Sequence, residues 1–567
     1  MSKRKNTVWW IGLIVGLFLI NYIASQLHSR VDLTQDKRYS ITKTTKDLIR
    51  GLKNDVTIDV FLKGDLPAGF KKLSTSTQEF LNNLREINPS KIHYRFLDPQ
   101  DPVEGNRVWA DSLKAIGATP INLTVQVKAG EENKLAYPYA LLESNGQIDM
   151  INLFRNSKLN VSETELNNAE AMLEYQFAKT IDRINNPQKI SVVYASGNGE
   201  PSQGNVYDLV QTVSTAYDFH TFDITRQPYI PGPDTISTML IVKPTQPFND
   251  DEKLKIDQFI MRGGKVLWFI DNLQAEQDSL SIKSQVIAYD RNLNIEDLLF
   301  NYGVRINPDL IMDLQCDFLP FAVGGSASQP QYEFLHWNYY PLFESRNNHD
   351  INKNLGLVAG KFVNSIDTIE VPDVKKTFLL QSSSNSRTIS TPALISPNEN
   401  RNTPQDALFK QHDIPAGVLL EGKFSSFYKG RIGKTKTDSL AQFGGFKQES
   451  GKDGKMIVVA DGDIVLNDVT SKGPIPMGMN LYTMGTQYEY QFANRDFLLN
   501  CLEYMTSKSS IIQTRNKEIV LRLLDTKKVD AEKSKWQLIN IALPIILIII
   551  FGAIYQQSRR YRFAGKA

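Results

Sequence analysis

Cysteine is almost absent from this chain. Cys316 and Cys501 alone among 567 residues exclude a disulfide-dense scaffold, and with no CxxC there is no thioredoxin-type redox chemistry. One bridge between the two stays open for an oxidising compartment, though no spacing signal supports it. Histidine is nearly as scarce: six residues are scattered, with no HExxH and no clustered ligands, so no metal site is legible. Neither charge is in excess. The 64 Lys and Arg against 62 Asp and Glu leave a formal +2, which offers no basic footprint for nucleic acid and no acidic solvating tail. There is no GxSxG elbow, neither cysteine lies at a strand-to-helix nucleophile turn, and no repeat of fixed period occurs. A near P-loop at Gly430–Thr435 fails because Tyr428 stands where its first glycine belongs. No catalytic constellation and no cofactor motif can be named.

Long apolar runs are present, one at each end. The second, Trp536–Arg562, reads WQLINIALPIILIIIFGAIYQQSRRYR. Between Leu538 and Tyr555 only Asn540 is strongly polar and nothing is charged. At a rise of about 1.5 Å per residue this stretch reaches about 27 Å, close to the hydrocarbon thickness of a bilayer. Trp536 and Tyr555 stand where rings favour the headgroup layer, and Arg559, Arg560 and Arg562 follow. Pro544 is tolerated within a membrane span. A buried core helix is the alternative, but soluble helices rarely end an isoleucine run beside an arginine cluster. The first run, Val8–Ala24, follows Lys3, Arg4 and Lys5 and fits either a cleaved signal peptide or an uncleaved anchor. Its length and the poor cleavage site at Ala24-Ser25-Gln26 favour the anchor. Basic flanks on the outer side of both runs predict two cytoplasmic ends and a body on the far side of the membrane, despite four lysines before the second run. The expected layout is a tail over 1–7, a first span over 8–27, a stalk over 508–535, a second span over 536–556 and a basic tail over 557–567. Asn540 and Pro544 mark the face of the second span expected to meet a partner helix, since polar groups in hydrocarbon usually face protein.

The whole chain is 41% hydrophobic and 22% charged, a composition that between the two runs builds globular domains. Thr42 caps a predicted helix bearing Leu48, Ile49 and Leu52, and Val56–Leu62 alternates as a strand. A helix over Phe70–Ile87 stops at Asn88-Pro89, and a strand follows through Ile92, Tyr94 and Phe96. That is a βαβ unit. Strands over Ile121–Lys128 and Leu135–Ser144 predict an antiparallel continuation, and Thr164–Ile184 a helix. Residues 32–185 thus read as an α/β domain of thioredoxin-like character. From Lys189 a clearer alternation begins: strands at Lys189–Ala195, Thr238–Lys243 and Lys265–Asp271, with helices over Asn205–Ala216 and after a capping box at Asn249–Glu252 that stops at Gly263-Gly264. Later elements are a helix at Asn294–Tyr302, strands at Val304–Asp313, Thr377–Ser382, Val418–Lys423 and Met456–Ala460, and a closing helix at Asn494–Met505. Ser382–Asp406 and Thr435–Gly454 read as loops, because their composition cannot offset chain entropy. Residues 188–507 then form a second α/β domain with a mainly parallel sheet and loop insertions.

Chemistry has two places to sit. Ser196-Gly-Asn-Gly-Glu200 follows a strand, where open α/β sheets bind ligands, and its glycines allow close backbone approach. Ser196, Asn198, Glu200 and the strand-end Asp271 are the ligand-binding candidates, against a tight turn with a structural carboxylate. Asp461-Gly-Asp463 follows another strand, and such a carboxylate pair suits Mg²⁺ or Ca²⁺. No further ligand is legible there, and a solvated turn is the simpler expectation.

Several segments together resemble one family. RVDLTQDKRYSIT (Arg30–Thr42), SGNGE (Ser196–Glu200), FIMRGGKVLWFID (Phe259–Asp271), LLFNYGVRINPDLIMD (Leu298–Asp313), GVLLEGKFSSFYKGR (Gly417–Arg431) and NRDFLLN (Asn494–Asn500), within the two-run frame, are similar to the gliding-motility-associated ABC transporter component GldG of Bacteroidetes. The resemblance covers nearly the whole chain. It implies a two-span protein of the cytoplasmic membrane with a periplasmic body, working with a separate permease and a cytoplasmic ATPase. The middle of the chain also resembles the class I glutamine amidotransferase-like doubly wound fold. The nucleophilic cysteine of those enzymes is missing, since Asn198 and its neighbours occupy the strand-end loop. The resemblance therefore implies a non-catalytic, substrate-binding-like auxiliary subunit without a cofactor. The alternatives are a periplasmic hydrolase or carbohydrate-binding protein on the same sheet, or a mechanical or assembly scaffold.

Overall fold

Thr42 is where the first domain turns into helix. Its hydroxyl accepts from Thr45 N at 3.3 Å and caps α1 (Lys43–Arg50), while its own N–H and hydroxyl donate to Glu174. The computed structural model describes residues 40–103, 107–154, 163–275, 285–396, 406–506 and 526–563, apart from 117, 119, 128–129, 187–188, 327–328, 345 and 354, and also 15, 16, 21, 511 and 514. The expected tail over 1–7 and all but three residues of the expected first span lie outside the described residues, as does most of 508–525.

In the first domain, β1 (Val56–Val60) buries every second side chain. Its neighbour α2 (Ala68–Ile87) turns Phe70, Leu73, Leu81 and Leu84 onto the sheet and ends at Asn88, ahead of Pro89. The chain returns in β2 (Ile92–Phe96), parallel to β1 with Val56 opposite Ile92. The expected continuation of the sheet is corrected. β3 (Ile121–Val127) and β4 (Gly130–Ala136) pair only with each other as a separate ribbon. The chain breaks at Tyr137-Pro138, where proline offers no N–H to a ladder. Then β5 (Tyr139–Ser144) joins β1 antiparallel, and Asn145 and Gly146, both at positive φ, turn it into β6 (Gln147–Asn152). The order is β2-β1-β5-β6, with β5 the one reversed strand. α3 (Glu163–Asn185) covers the sheet through Leu173, Phe177 and Ile181.

The second domain is built on seven strands. β7 (Ser191–Ser196), α4 (Tyr207–Ala216), β8 (Asp218–Asp223), β9 (Thr238–Val242), α5 (Asp250–Met261) and β10 (Lys265–Phe269) alternate as expected. The order is β8-β7-β9-β10-β15-β14-β13, where β13 is Val374–Gln381, β14 Pro415–Gly422 and β15 Gly454–Val459. The first five run parallel, and β14 and then β13 each reverse against their neighbour. All five residues of β9 are buried, as a strand covered on both faces must be. One cover is α4 with the closing helix α7 (Asn494–Thr506), through Leu209, Val213, Leu498 and Leu502; the other is α5 with α6 (Glu296–Tyr302), through Ile256, Phe259 and Leu298. Asn249 and Glu252 form the expected capping box of α5. The stop behind α5 is also physical: a Cβ on Gly264 would lie 2.4 Å from the Phe259 ring.

Two segments read as loops hold structure. Within Ser382–Asp406, Ser386–Ser390 pairs with Asp309–Asp313, and Ala393–Ile395 with Val286–Asp290. Within Thr435–Gly454, most of a helix (Lys434–Ala441) lies exposed, with no buried residue to announce it by periodicity. A third element had no expectation at all: a long hairpin of β11 (Cys316–Ser326) and β12 (Gln329–Phe343) carries Trp337 and Tyr339 into a core of its own. The two domains meet where Lys179 of α3 lies 2.5 Å from Glu503 of α7, to which Tyr175 also donates.

Glu518–Ala567 forms a separate unit. Its helix α8 (Thr526–Phe563) runs unbroken through Pro544 from the end of the expected stalk into the second apolar run. Within Glu532–Tyr561 the most apolar 18-residue window has a mean hydropathy of 2.6 and none of it is buried, which makes this, among the described residues, the one helix long and apolar enough to cross a membrane. Asn540, Pro544, Arg559 and Arg560 are all exposed on it; Arg562 lies on the same helix.

Candidate functional site

Parallel strands deliver their carboxyl ends to one edge of a sheet, so residues far apart in sequence converge there. β7 ends in Ser196–Glu200, β9 in Lys243, β10 runs on to Asp271, and β15 to Asp461-Gly462-Asp463.

Lys243 organises the middle of this edge. It is 7% exposed and takes a left-handed backbone conformation (φ 45°). Its ammonium donates to both oxygens of Asp463 at 2.8 Å and lies 3.0 Å from Asp271 Oδ2. The other Asp271 oxygen accepts from Gly462 N at 2.5 Å. Gly462 has to be glycine, because a Cβ there would come within 2.6 Å of Lys243 Cβ. Asp461 accepts from Asp463 N at 2.7 Å and from Lys361 N at 2.8 Å, and Lys361 Nζ holds both oxygens of Asp468 at 3.0 Å.

The charges sort accordingly. Burial, with Asp271 and Asp463 close by, pushes the Asp461 carboxyl well above the usual carboxylate range. Burial acts on Asp463 in the same sense, but Lys243 and Lys361 outweigh it and hold this carboxylate below its ordinary value. Burial would lower Lys361, yet Asp468 and Asp463 raise it. Oxygens of Asp271, Asp461 and Asp463 lie within 4.8 Å of one another, a spacing that suits a divalent cation. The ammonium of Lys243 already sits between Asp271 and Asp463, so a metal entering there must displace a buried positive charge. The cluster works as an internal ion-pair network. Beside it is a cavity of about 30 Å³ lined by Asp317, Tyr340, Lys361, Asp463, Asp468 and Asn480 among others, which has room for a water or a group of that size.

The Ser196–Glu200 loop forms a second cluster. Asn198 O accepts from Thr245 N and Gln246 N at 2.9 Å, and its side chain donates to Glu252 Oε2 at 3.0 Å, on the cap of α5. A Cβ on Gly199 would lie 2.2 Å from Thr245 Oγ1, which accounts for a glycine in that loop. Glu200 accepts from Asn198 N at 2.8 Å, and burial lifts its carboxyl to about 7. The candidates read from sequence therefore divide. Asn198 and Glu200 belong with the α5 cap, Ser196 pairs with Asp223 and accepts from Ile224 N beside β8, and Asp271 belongs with Asp461 and Asp463. Sequence reasoning missed Lys243, Lys361 and Asp468. A lysine directly after the apolar run Met239–Val242 of β9 was the one available signal. The disulfide left open does not form: both thiols are free and buried, and burial raises both.

With this geometry in hand, the comparisons decide the family. A family model described as an ABC-type uncharacterized transport system matches residues 189–501, more than half of the chain. The chain belongs to this family of ABC transport-system auxiliary proteins. Its match spans the whole seven-stranded sheet and both clusters at its edge. Membership implies work beside other components of an ABC transport system, and the apolar helix α8 is consistent with membrane association. A second model, a domain of unknown function (DUF7088), matches residues 35–143. No curated protein matches the chain. Among solved structures, the mmIFT52 N-terminal domain is similar at 11% identity over 56% of this chain and 97% of its own, with a TM-score of 0.31. An exo-β-1,4-mannosidase, Op5Man5 from Opitutaceae bacterium strain TAV5, is similar at 10% identity over 51% of this chain and 34% of its own, with a TM-score of 0.18. At such scores neither likeness bears on fold or function.

Proposed function

We propose that this protein is a non-catalytic, membrane-anchored accessory subunit of an ABC transport complex, of the GldG type associated with gliding motility. The observation that carries the reading is the family match over 189–501 on a chain that also bears a helix with an unburied apolar window of 18 residues. In this reading two spans anchor the chain in the cytoplasmic membrane, both ends are cytoplasmic, and the body is periplasmic. The basic flanks of both apolar runs support that topology. The strand order β2-β1-β5-β6 with one reversed strand supports a thioredoxin-like first domain, and the order β8-β7-β9-β10 with helices on both faces supports an amidotransferase-like second one. A role without catalysis is supported by what stands at the strand ends: a packed turn at Asn198, and carboxylates bound to lysines rather than poised beside a nucleophile.

The partners are a permease and a cytoplasmic ATPase, and the second span is where the subunit meets them. A subunit without an ATP site has only its spans and tails through which to sense a cytoplasmic event. Asn540 and Pro544 then face a permease helix, and Arg559, Arg560 and Arg562 fix the depth. Replacing Leu538–Tyr555 by an unrelated span of equal length with the same basic flank tests this contact. The chimaera is expected to lose co-purification with the permease. Retained co-purification and function would reduce α8 to a passive anchor.

A further inference from the structure

The loop at the end of β7 contains two buried acceptors that nothing satisfies. Among the described residues, Asn198 Oδ1 and Glu200 Oε1 are shielded from solvent and have no hydrogen-bond partner, although Asn198 is only 3% exposed. An orphaned buried acceptor gives up its hydration for nothing in return, so an arrangement with two in one turn calls for a donor. Among the described residues, the groups around the turn have their donors engaged elsewhere. Tyr194 on β7 gives its hydroxyl to Pro201 O. Asp223 at the end of β8 is held by Thr225 and the exposed Arg226. Glu252 on α5 accepts from Asn198 and Asn249, and Lys255 on the same helix donates to Ile224 O. Among the described residues no Lys or Arg pairs with Glu200, and the charges that face it, Asp223 and Glu252, are negative.

We propose that the missing donor is a proton on Glu200, and that this carboxyl is a proton-operated latch holding the strand-end loop against α5. Protonated, Glu200 becomes a donor, removes one of three carboxylate charges, and leaves the turn closed on Thr245 and Gln246. Ionised, it is an unpaired buried anion beside two others, and the turn opens to hydrate it. Because Asn198 bonds to Glu252, opening also loosens the cap of α5. The loop lies at the edge where β7 and β9 diverge towards β8 and β10. The pH on the side of the membrane that holds the body therefore controls access to that edge. Burial places the change near pH 7. This inference stands on the loop itself and does not need the transport reading to hold.

Hydrogen exchange on the detergent-solubilised full chain tests it, with rates corrected for intrinsic base catalysis. Amides of 197–200 and 245–252 are expected to lose protection by about tenfold or more between about pH 6 and pH 8.5. Glu200→Gln, which keeps a donor and cannot ionise, is expected to hold protection flat. A flat profile in the unmodified protein overturns the latch. So does an equal loss in Glu200→Gln, which would assign the titration to Asp223 or Glu252. Should that variant fail to fold, the ¹³C titration of the Glu200 carboxyl in the unmodified protein decides: a midpoint near 7 supports the latch, and an ordinary one near ~4.5 refutes it.

Discussion

At the scale of single residues, Lys243 matters most. It neutralises Asp271 and Asp463 at 3.0 and 2.8 Å in a region where it is itself only 7% exposed. Lys243→Met removes the buried positive charge that Asp271 and Asp463 share, so unfolding by denaturant should show a loss of about 3–5 kcal/mol. An unchanged midpoint would mean that the network is wet and weak. Glu200 has the opposite sign. Its folded value is raised above its unfolded one, so the folded state binds the proton more tightly, and stability falls as pH rises from the unfolded value to about 7. Glu200→Gln should therefore be more stable than the unmodified protein above pH 7, by about 2–3 kcal/mol, and the two should converge in acid. The two cysteines are core residues with raised thiols. Replacing both by serine should leave biological function intact at a cost of about 1–3 kcal/mol. Abolished function in a folded protein of normal abundance would make a thiol chemically necessary.

At the scale of elements, local signals were legible and long-range ones were not. The capping box at Asn249–Glu252 is found as written, because capping is decided within four residues. Asn249→Ala should cost about 0.5–2 kcal/mol in the same denaturation. Gly264→Ala should cost about 1–3 kcal/mol, because the Phe259 ring must move; a neutral result would show that this turn has slack. The hairpin β11–β12 stayed hidden because Pro320, Pro330 and Pro341 argue against strands, while bulges and a core around Trp337 sustain it. Ser386–Ser390 is a strand only because Asp309–Asp313 lies beside it, and composition carries no trace of that partner. The edge cluster shows the same limit. Asp271, Asp461 and Asp463 could be named as strand-end carboxylates, but Lys243 meets Asp463 across 220 positions of sequence, and only the sheet order makes them neighbours.

At the scale of the whole molecule, one chain of an ABC transport family carries both a sheet edge neutralised by lysines and a helix long and apolar enough to cross a membrane. Topology is open to a direct check. A reporter active only outside the cytoplasm should work when fused within Ser382–Asp406 and fail after Ala567; the reverse at either site would invert or break the two-anchor arrangement. The central claim is that this chain functions as a subunit. Affinity purification of the tagged full chain from its own membrane, in mild detergent, with mass spectrometry of whatever remains bound, tests it most directly. The account predicts an ABC permease and its ATPase in fixed ratio to the chain. A chain recovered alone, from membranes in which both of those proteins are abundant, would contradict it.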